Sequence, residues 1–371
     1  MIYLDNNAIT PPEPGLIDFL KQSFIHEECY ANPSSVHSLG KKSHQMVVET
    51  TSLIQSVLGF RGQVVYTSGA TESLNLAIAS LPRGSHVITS SLEHPAVIEP
   101  LKRADLSVSY LDPKEGLCTL SLQQLEASIT PSTSAIVLGW VNSEVGAKQD
   151  IQAIAQLALD YKLQFIVDAT AIVGKEKILI PEGVTMFAFS GQKFHALSGI
   201  GALLIAPRVK ICPFFWGGGQ QNGLRSGTEN IWGIASLFYV FQYLVSHQIE
   251  VSEKVLSFRD YFEKTIKQKI SDIVIHCEDF LRVNNVSAIA FPPIEGEVLQ
   301  ITLDLEGIAC GYGSACSSGA TTAFKSLVGL GVSQELAAST LRFSFSHLLS
   351  MDDVDSAIKI IHKVVSKLKS L

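Results

Sequence analysis

The sequence predicts an α/β protein built on a largely parallel sheet, followed by a smaller α+β region. From about residue 60, short apolar runs alternate with helix-length amphipathic segments, and this pattern changes after about residue 250. Apolar strands that alternate with helices are typical of a parallel sheet covered on both faces. The 371 residues, of which 46% are hydrophobic and 17% charged, suffice for two domains with buried cores.

The elements of the first region follow in a regular order. The apolar runs predicted to be strands are 63–67, 85–90, 106–111, 134–141, 163–169, 186–190 and 201–206. The predicted helices between them include Ala70–Leu81, Pro95–Ala104, Leu122–Ile129 and Ile151–Tyr161. Ser121 and Asp150 suit the N-caps of the last two. The apolar stretch Ile231–Val245 is too short to span a bilayer and is interpreted as a buried helix.

The second region begins with a charged helical stretch, Ser252–Ile270. It continues with the apolar runs "IVIHC", "VSAIAF" and "LQITLDLEG" and ends with a predicted helix, Asp352–Lys367. We therefore expect a large domain of residues 13–252 and a small domain of residues 1–12 and 253–371. A cleft between two such domains is a common place for a binding site.

Charge and composition exclude several classes of function. The net charge is −7 and no segment carries a basic stripe, so nucleic acid is not expected as a partner. The N-terminus "MIYLDNNAIT" lacks the features of a signal peptide, so we expect a cytoplasmic protein without a membrane partner.

The six cysteines give no C-x-x-C pair, which argues against a structural zinc site, and we expect no metal. A cytosolic setting also disfavours disulfides, with a Cys310–Cys316 bridge under oxidation as the lesser alternative. Cys316 lies in "GYGSACSSGA", whose small residues cannot build a core. It is therefore either an idle thiol or a nucleophile.

Three segments place polar residues where a predicted strand ends. In "TSGATESLNLAIA" a helix begins near Ala70, and its backbone N–H groups, together with Thr71, form either an anion site or an ordinary capped helix. Asp168 is either a loop ion-pair partner or a partner for a protonated heterocyclic nitrogen. Lys193 is equally well interpreted as a Schiff-base lysine or as the partner of a loop carboxylate.

Further candidates are ambiguous when taken singly. His94 lies at a strand-to-helix junction, where a histidine is more often structural than catalytic, and Asn142 follows another strand. The segment Gly217–Asn230, which contains Thr228, is either a surface loop or a second anion site. Arg342, inside the apolar run "STLRFSFS", needs an anionic partner, which is either a substrate carboxylate or a structural ion pair.

Taken together, these candidates indicate one cofactor. An aspartate, a lysine that can form a Schiff base, a phosphate-binding helix start and a stacking histidine all fall at strand ends. Pyridoxal 5'-phosphate needs this set, because its ring nitrogen, aldehyde and phosphate must each be held.

The chain also resembles the cysteine desulfurases of the NifS/IscS type, in the class V aminotransferase group. The resemblance covers nearly the full length and is carried by "YLDNNA", "NPSSVHSLG", "TSGATESLNLAI", "EHPAVIE", "VDAT", "FSGQKF", "GGGQQNGLRSGTEN", "GSACSSGA" and "LRFSF". It implies the fold type I of pyridoxal-phosphate-dependent transferases and a homodimer with shared sites.

The resemblance also implies roles for single residues toward the cofactor. Lys193 forms the Schiff base with pyridoxal phosphate, Asp168 faces the ring nitrogen, and His94 stacks on the ring and takes part in proton transfer. The residues that hold the phosphate are Ala70, Thr71, Ser190 and Gln192, with Thr228 reaching the phosphate of the neighbouring subunit.

The resemblance further implies that Asn142 lies near the ring hydroxyl and the substrate. It also implies that Arg342 binds the substrate carboxylate. Cys316 accepts the sulfur. The implied reaction converts L-cysteine to L-alanine and leaves a persulfide on Cys316 for an acceptor protein such as an iron–sulfur cluster scaffold.

Three positions depart from the family pattern. The usual histidine is Gln192, the usual glutamine is Ala171, and the usual second asparagine of "NNE" is Ser143. These changes bear on cofactor affinity and rate. Ala171 and Gln192 keep open a degenerate family member that serves as a binding or scaffold protein. The main enzymatic alternative is a sibling lyase of the same fold, such as one that acts on selenocysteine.

Overall fold

The computed structural model describes residues 1–207, 209–313 and 324–370, so Cys316 lies outside the described residues. The strands are β1 Ile2–Tyr3, β2 Gln63–Thr67, β3 His86–Ser90, β4 Ser107–Leu111, β5 Thr133–Gly139, β6 Gln164–Asp168, β7 Met186–Ser190, β8 Gly201–Ile205, β9 Val274–Ile275, β10 Val286–Ala290, β11 Ile308–Ala309 and β12 Thr340–Ser344. The helices are α1 Leu16–Lys21, α2 Ser38–Leu58, α3 Ala70–Ala79, α4 Pro95–Arg103, α5 Leu122–Ala127, α6 Ile151–Asp160, α7 Ile231–Lys269, α8 Gly296–Leu305, α9 Lys325–Gly329, α10 Gln334–Ala338 and α11 Met351–Lys369.

The central sheet contains seven strands in the order β2-β8-β7-β6-β5-β3-β4. Neighbouring strands from β4 to β7 run parallel, whereas β8 is antiparallel to both β7 and β2. The α/β class with a mostly parallel sheet is therefore confirmed. Parallel neighbours need crossover connections, and α4 and α6 are two helices that lie in such connections.

Apolar cores cover both faces of this sheet. Alternate side chains of β7 point to opposite faces, so Phe187 and Phe189 lie in one core and Met186 and Ala188 in the other. Since all five residues of β7 are buried, the sequence of this strand is continuously apolar up to Ser190. This double burial explains why the strands were recognisable as apolar runs.

The predicted helices of the first region are confirmed to within a few residues, and so are their caps. Ser121 forms a capping box with Gln124, and the Asp150 side chain accepts a hydrogen bond from the Ala153 N–H at 3.1 Å. The two helices predicted at Ile231–Val245 and Ser252–Ile270 are instead one helix, α7, of 39 residues. The intervening segment contains neither glycine nor proline, so nothing in it ends the helix.

The second region has its own sheet and core. Strand β10 pairs antiparallel with β9 and β12, and β1 pairs parallel with β11. Its apolar core combines Leu4 with residues between Val255 and Val365, including Phe262 and Phe343. The first half of α7 packs into the core of the central sheet and the second half into this core.

The expectation that the protein has no disulfide is wrong in the structure. Cys118 and Cys277 form a disulfide, with their Cα atoms 6.3 Å apart. They are 159 residues apart in the sequence, so the pairing depends on how the loop before α5 meets the turn after β9. Among the described residues, no helix is long and apolar enough to cross a bilayer.

Candidate functional site

A cavity of about 500 Å³ lies at the carboxyl ends of the parallel strands, where open α/β sheets bind ligands. It collects residues from distant parts of the chain. The predicted site residues that line it are Ala70, Thr71, His94, Asn142, Asp168, Ser190, Gln192, Lys193 and Arg342. Of the other two, Thr228 is exposed and does not line the cavity, and Cys316 lies outside the described residues.

Lys193 ends the short 3-10 turn Gly191–Lys193 that follows β7. Its Nζ donates hydrogen bonds to the backbone carbonyls of Asn7 at 2.9 Å and Ala8 at 2.7 Å. The N-terminal segment therefore holds the amine at the cavity wall. The two carbonyls therefore orient the Lys193 side chain.

Asp168 is the last residue of β6, and its side chain is fixed by the turn that follows. Oδ1 accepts hydrogen bonds from the Thr170 N–H at 2.9 Å and from the Thr170 hydroxyl at 2.5 Å. The arrangement thus presents an oriented negative charge to the cavity.

Glu93 also lines the cavity and was not among the predicted residues. Its Oε2 accepts a hydrogen bond from the Gly139 N–H at 2.8 Å. Burial, and then the nearby charge of Asp168, raise the pKa of the Glu93 carboxyl to about 8. Glu93 is therefore mostly protonated at neutral pH. A β-carbon at residue 139 would lie 2.9 Å from Oε2, which explains the glycine there.

The start of α3 lies against Ser190. The Ala70 N–H donates to the Ser190 hydroxyl at 2.7 Å, and Gly69 before it has φ +154°. A β-carbon at Gly69 would meet the Ser190 Oγ at 3.1 Å, so a larger residue would crowd this contact. The Gln192 Oε1 is buried here without a hydrogen-bond partner among the described residues. This part of the cavity therefore offers polar groups that the described protein atoms do not satisfy.

Arg342 is 5% exposed and lies in β12. One terminal nitrogen donates to Asp5 Oδ1 at 2.9 Å and the other to the Ser143 carbonyl at 3.2 Å. The Nε atom is buried and has no partner in the described part of the chain. The structural ion pair considered from the sequence thus exists, yet the guanidinium retains donor capacity.

Asn142 and His94 both hold backbone groups. The Asn142 side-chain oxygen accepts from the Glu144 and Val145 N–H groups at 2.9 and 3.1 Å, and its amide donates to the Ser326 hydroxyl at 3.0 Å. His94 caps α4, with Nδ1 accepting from the Ala96 N–H at 3.0 Å. In a neutral imidazole this places the ring proton on Nε2.

A second polar cluster lies beside the lysine segment. Potential ligand atoms of Glu13, His195 and His347 all lie within 4.8 Å of one another, a grouping that the sequence analysis did not anticipate. Burial, followed by the charges of Lys175 and His347, lowers the pKa of His195 to about 3. Its Nδ1 lies 2.8 Å from the Pro11 carbonyl oxygen. His195 is therefore a neutral hydrogen-bonding residue at physiological pH.

The model of the aminotransferase class-V family matches residues 2–356. The chain belongs to this family. Within it, the chain is 31% identical to the cysteine desulfurase IscS of Dictyoglomus turgidum, covering 100% of this chain and 96% of the relative. It is 33% identical to the cysteine desulfurase IscS of Mannheimia succiniciproducens, covering 100% of this chain and 94% of the relative. The family member described here is thus of the NifS/IscS type.

Solved structures agree with this assignment. A NifS-like protein from Rickettsia africae superposes with a TM-score of 0.89 at 26% identity, and the match covers 99% of each chain. A protein called SspA, solved in complex with cysteine, superposes with a TM-score of 0.80 at 28% identity and covers 93% of this chain and 99% of that one. The fold type I expectation is confirmed by these neighbours.

Proposed function

We propose that this family member is a pyridoxal-phosphate-dependent cysteine desulfurase. It removes the sulfur of L-cysteine, releases L-alanine and leaves the sulfur on Cys316 as a persulfide for a protein acceptor. The single observation that carries the proposal is that Lys193, Asp168 and Arg342, from three separate elements, line one cavity. That combination supplies an amine, a fixed negative charge and a carboxylate-binding cation.

The residues of the cavity fit the cofactor by their chemistry. Unpartnered buried polar atoms occur on Gln192 and Arg342, where a bound anion would need donors; the Gln192 amide can turn its NH₂ group toward a phosphate. The Thr71 hydroxyl and the N-terminus of α3 would hold the phosphate, with the Ala70 N–H exchanging its bond to the Ser190 hydroxyl for one to the phosphate. Lys193 would hold the aldehyde and Asp168 the protonated ring nitrogen. When bound, pyridoxal phosphate supplies an electron sink for the bond that breaks at Cα.

The chain's own residues then divide the remaining work. Arg342 binds the carboxylate of L-cysteine and thereby fixes the orientation of Cα. Lys193 would serve as the base for the Cα proton. His94, at the cavity wall, is placed to move a second proton through Nε2. The thiolate of Cys316 attacks the substrate sulfur, so that the sulfur leaves carbon and joins a second sulfur.

Protonation of Glu93 supports this division. A second ionised carboxylate beside Asp168 would compete for the proton of the ring nitrogen. Because the pKa of Glu93 is raised to about 8, Glu93 is mostly uncharged at neutral pH and does not compete in this way. The Ala171 side chain at the cavity wall has no hydrogen-bonding group, which we expect to affect the rate more than the type of reaction.

Thr228 supports a homodimer. It is exposed and lies outside the cavity of its own chain, in the loop before α7. We propose that it reaches the phosphate in the partner's cavity, so that each site is completed by two subunits. The sulfur acceptor is proposed to be an iron–sulfur cluster scaffold, since two of the relatives named above are called IscS.

The test is alanine formation from L-cysteine in the presence of a reductant, comparing the parent protein with Cys316→Ser and with the control Cys212→Ser at an exposed cysteine. Alanine from the parent and the control but not from Cys316→Ser supports the proposal. Alanine from all three refutes the persulfide step and supports a lyase of the selenocysteine type. Alanine from none, in protein with cofactor bound, supports a binding or scaffold role.

A further inference from the structure

The Cys118–Cys277 disulfide is part of the candidate site. Cys118 lines the same cavity as Lys193 and Arg342, whereas Cys277 follows β9 in the second region. The segment after Cys118 borders two cavities, because Thr119, Leu120 and Gln149 also line a second one of about 390 Å³. The pair therefore joins the wall of the reaction cavity to the neighbouring region.

Cys118 lies where a reactive sulfur species in the cavity could reach it, and Cys277 is bonded to Cys118. Each is partly exposed, and both pack against an apolar cluster that contains Phe324, the first described residue after the Cys316 segment. Of the two cysteines, Cys118 lines the cavity and Cys277 does not.

The backbone holds Cys277 in an unusual conformation. Its φ is +54°, a left-handed value that a β-carbon disfavours, and it is set in a turn between β9 and β10. The preceding His276 is fixed by a 2.9 Å contact between its Nε2 and the Thr340 hydroxyl. Cys277 is thus held in a turn beside a fixed residue, and its sulfur is bonded to Cys118.

The remaining described cysteines do not share this placement. Cys310 is buried, and burial raises the pKa of its thiol to about 12, which makes it a poor nucleophile at neutral pH. Cys29 is buried and Cys212 is exposed, and neither lines the cavity. Among the described residues, Cys118 and Cys277 are therefore the thiol pair of the site.

From this geometry we infer that Cys118 and Cys277 form a second thiol site, which takes sulfane sulfur from a persulfide in the cavity and discharges it as hydrogen sulfide. The inference rests on the proposed function, since desulfuration of cysteine is the natural source of that persulfide. It adds to that function a route by which sulfur that has not passed to an acceptor protein leaves as hydrogen sulfide.

The chemistry balances in two steps. The Cys118 thiolate attacks the outer sulfur of the persulfide, so that the donor thiol is released and Cys118 becomes a persulfide. The Cys277 thiolate then attacks the Cys118 sulfur, the bond to the outer sulfur breaks, and hydrogen sulfide leaves. The outer sulfur gains two electrons, which come from the two cysteine sulfurs as they form the disulfide. An external thiol reduces the disulfide and returns the pair to its starting state.

The experiment uses the full chain with its cofactor, reduced and then freed of reductant under anaerobic conditions. One equivalent of L-cysteine is added, and alanine, sulfide and protein-bound sulfane sulfur are measured. We expect the parent to release sulfide and form the Cys118–Cys277 disulfide in a peptide map. In Cys277→Ser, sulfide release is lost and the sulfane sulfur stays on the protein, with part of it on Cys118. The control Cys212→Ser should behave as the parent does.

A second arm supplies cysteine persulfide directly to the reduced proteins. Sulfide from the parent and not from Cys277→Ser supports the inference even if no alanine forms, in which case only the proposed function fails. Equal sulfide release from parent and Cys277→Ser in this arm overturns the inference and leaves the disulfide as a structural crosslink. If Cys277→Ser unfolds, the parent with its disulfide left intact replaces it, since the bonded pair should discharge no sulfur.

Discussion

The protonated state of Glu93 gives a quantitative prediction about stability. The carboxyl has a pKa of about 8 in the folded protein and an ordinary value of 4.5. Below pH 4.5 Glu93 is protonated in both states and does not change the free energy of unfolding. As the pH rises from 4.5 to 8, the unfolded state loses this proton first, so the folded state becomes less stable.

The magnitude follows from the two pKa values. Each unit corresponds to ~1.4 kcal/mol, so a rise from 4.5 to about 8 corresponds to roughly 5 kcal/mol above pH 8. Glu93→Gln imitates the protonated carboxyl and does not titrate. The free energy of unfolding of the variant should therefore exceed that of the parent progressively, by ~1.4 kcal/mol per pH unit between pH 5 and 8.

The assay is urea unfolding of both proteins at pH 5, 6, 7, 8 and 9, at constant ionic strength. Glu99→Gln is the matched control, because Glu99 lies in α4 close to Glu93 but is exposed and pairs with Lys102 at 3.0 Å. Its difference from the parent should not change with pH. A pH-independent difference for Glu93→Gln would show that the carboxyl is ionised in the folded state and would refute the argument.

Three further predictions concern buried charges. Arg342→Lys keeps the charge but loses the planar fork, so kcat/KM for L-cysteine should fall about 10- to 100-fold, mainly through KM, in steady-state assays. Arg282 and Glu263 form a buried pair with contacts of 2.7 and 2.8 Å, so Arg282→Met should lower the free energy of unfolding by about 3–5 kcal/mol. Burial, and then the charge of Lys193, lower the pKa of Lys175 to about 7 from 10.5. The folded state therefore loses stability as the pH falls from 10.5 to 7, and Lys175→Met should stabilise the protein more at pH 7 than at pH 10 in urea unfolding.

Each of these predictions has a control variant or a result that would contradict it. If Arg342→Lys leaves the KM for L-cysteine unchanged, the substrate carboxylate binds elsewhere. The double variant Arg282→Met with Glu263→Leu should recover most of the lost stability, and no recovery would mean that packing around Arg282 dominates. The control Lys177→Met replaces an exposed lysine, and its effect on the free energy of unfolding should not depend on pH. An equal response of Lys175→Met to pH would contradict the interpretation of Lys175 as a buried, neutral lysine.

Sequence reasoning predicted those parts of the site that follow from sheet geometry. Asp168 and Lys193 were recognisable because parallel strands end at one edge of the sheet, and both strands are buried on both faces. The Asp150 and Ser121 caps depend on neighbouring residues only, so the sequence was sufficient there too.

Features that depend on tertiary contacts could not be predicted in this way. The pKa of Glu93 depends on its burial and then on Asp168, which is 75 residues away in the chain, and the Cys118–Cys277 pair is separated by 159 residues. The continuity of α7 is a different case. The sequence changes from apolar to charged residues near residue 250, which suggests two helices, but no helix-ending residue is present there. The predicted domain boundary at residue 252 therefore lies inside α7.

Helix α7 also restricts how the two regions can move. With 39 residues and a rise of about 1.5 Å per residue, it is roughly 58 Å long. Phe241 near one end is anchored in one core and Phe262 toward the other end in the second core. The helix therefore joins the two cores without a break. A hinge movement along this connection would require the helix to tilt or bend.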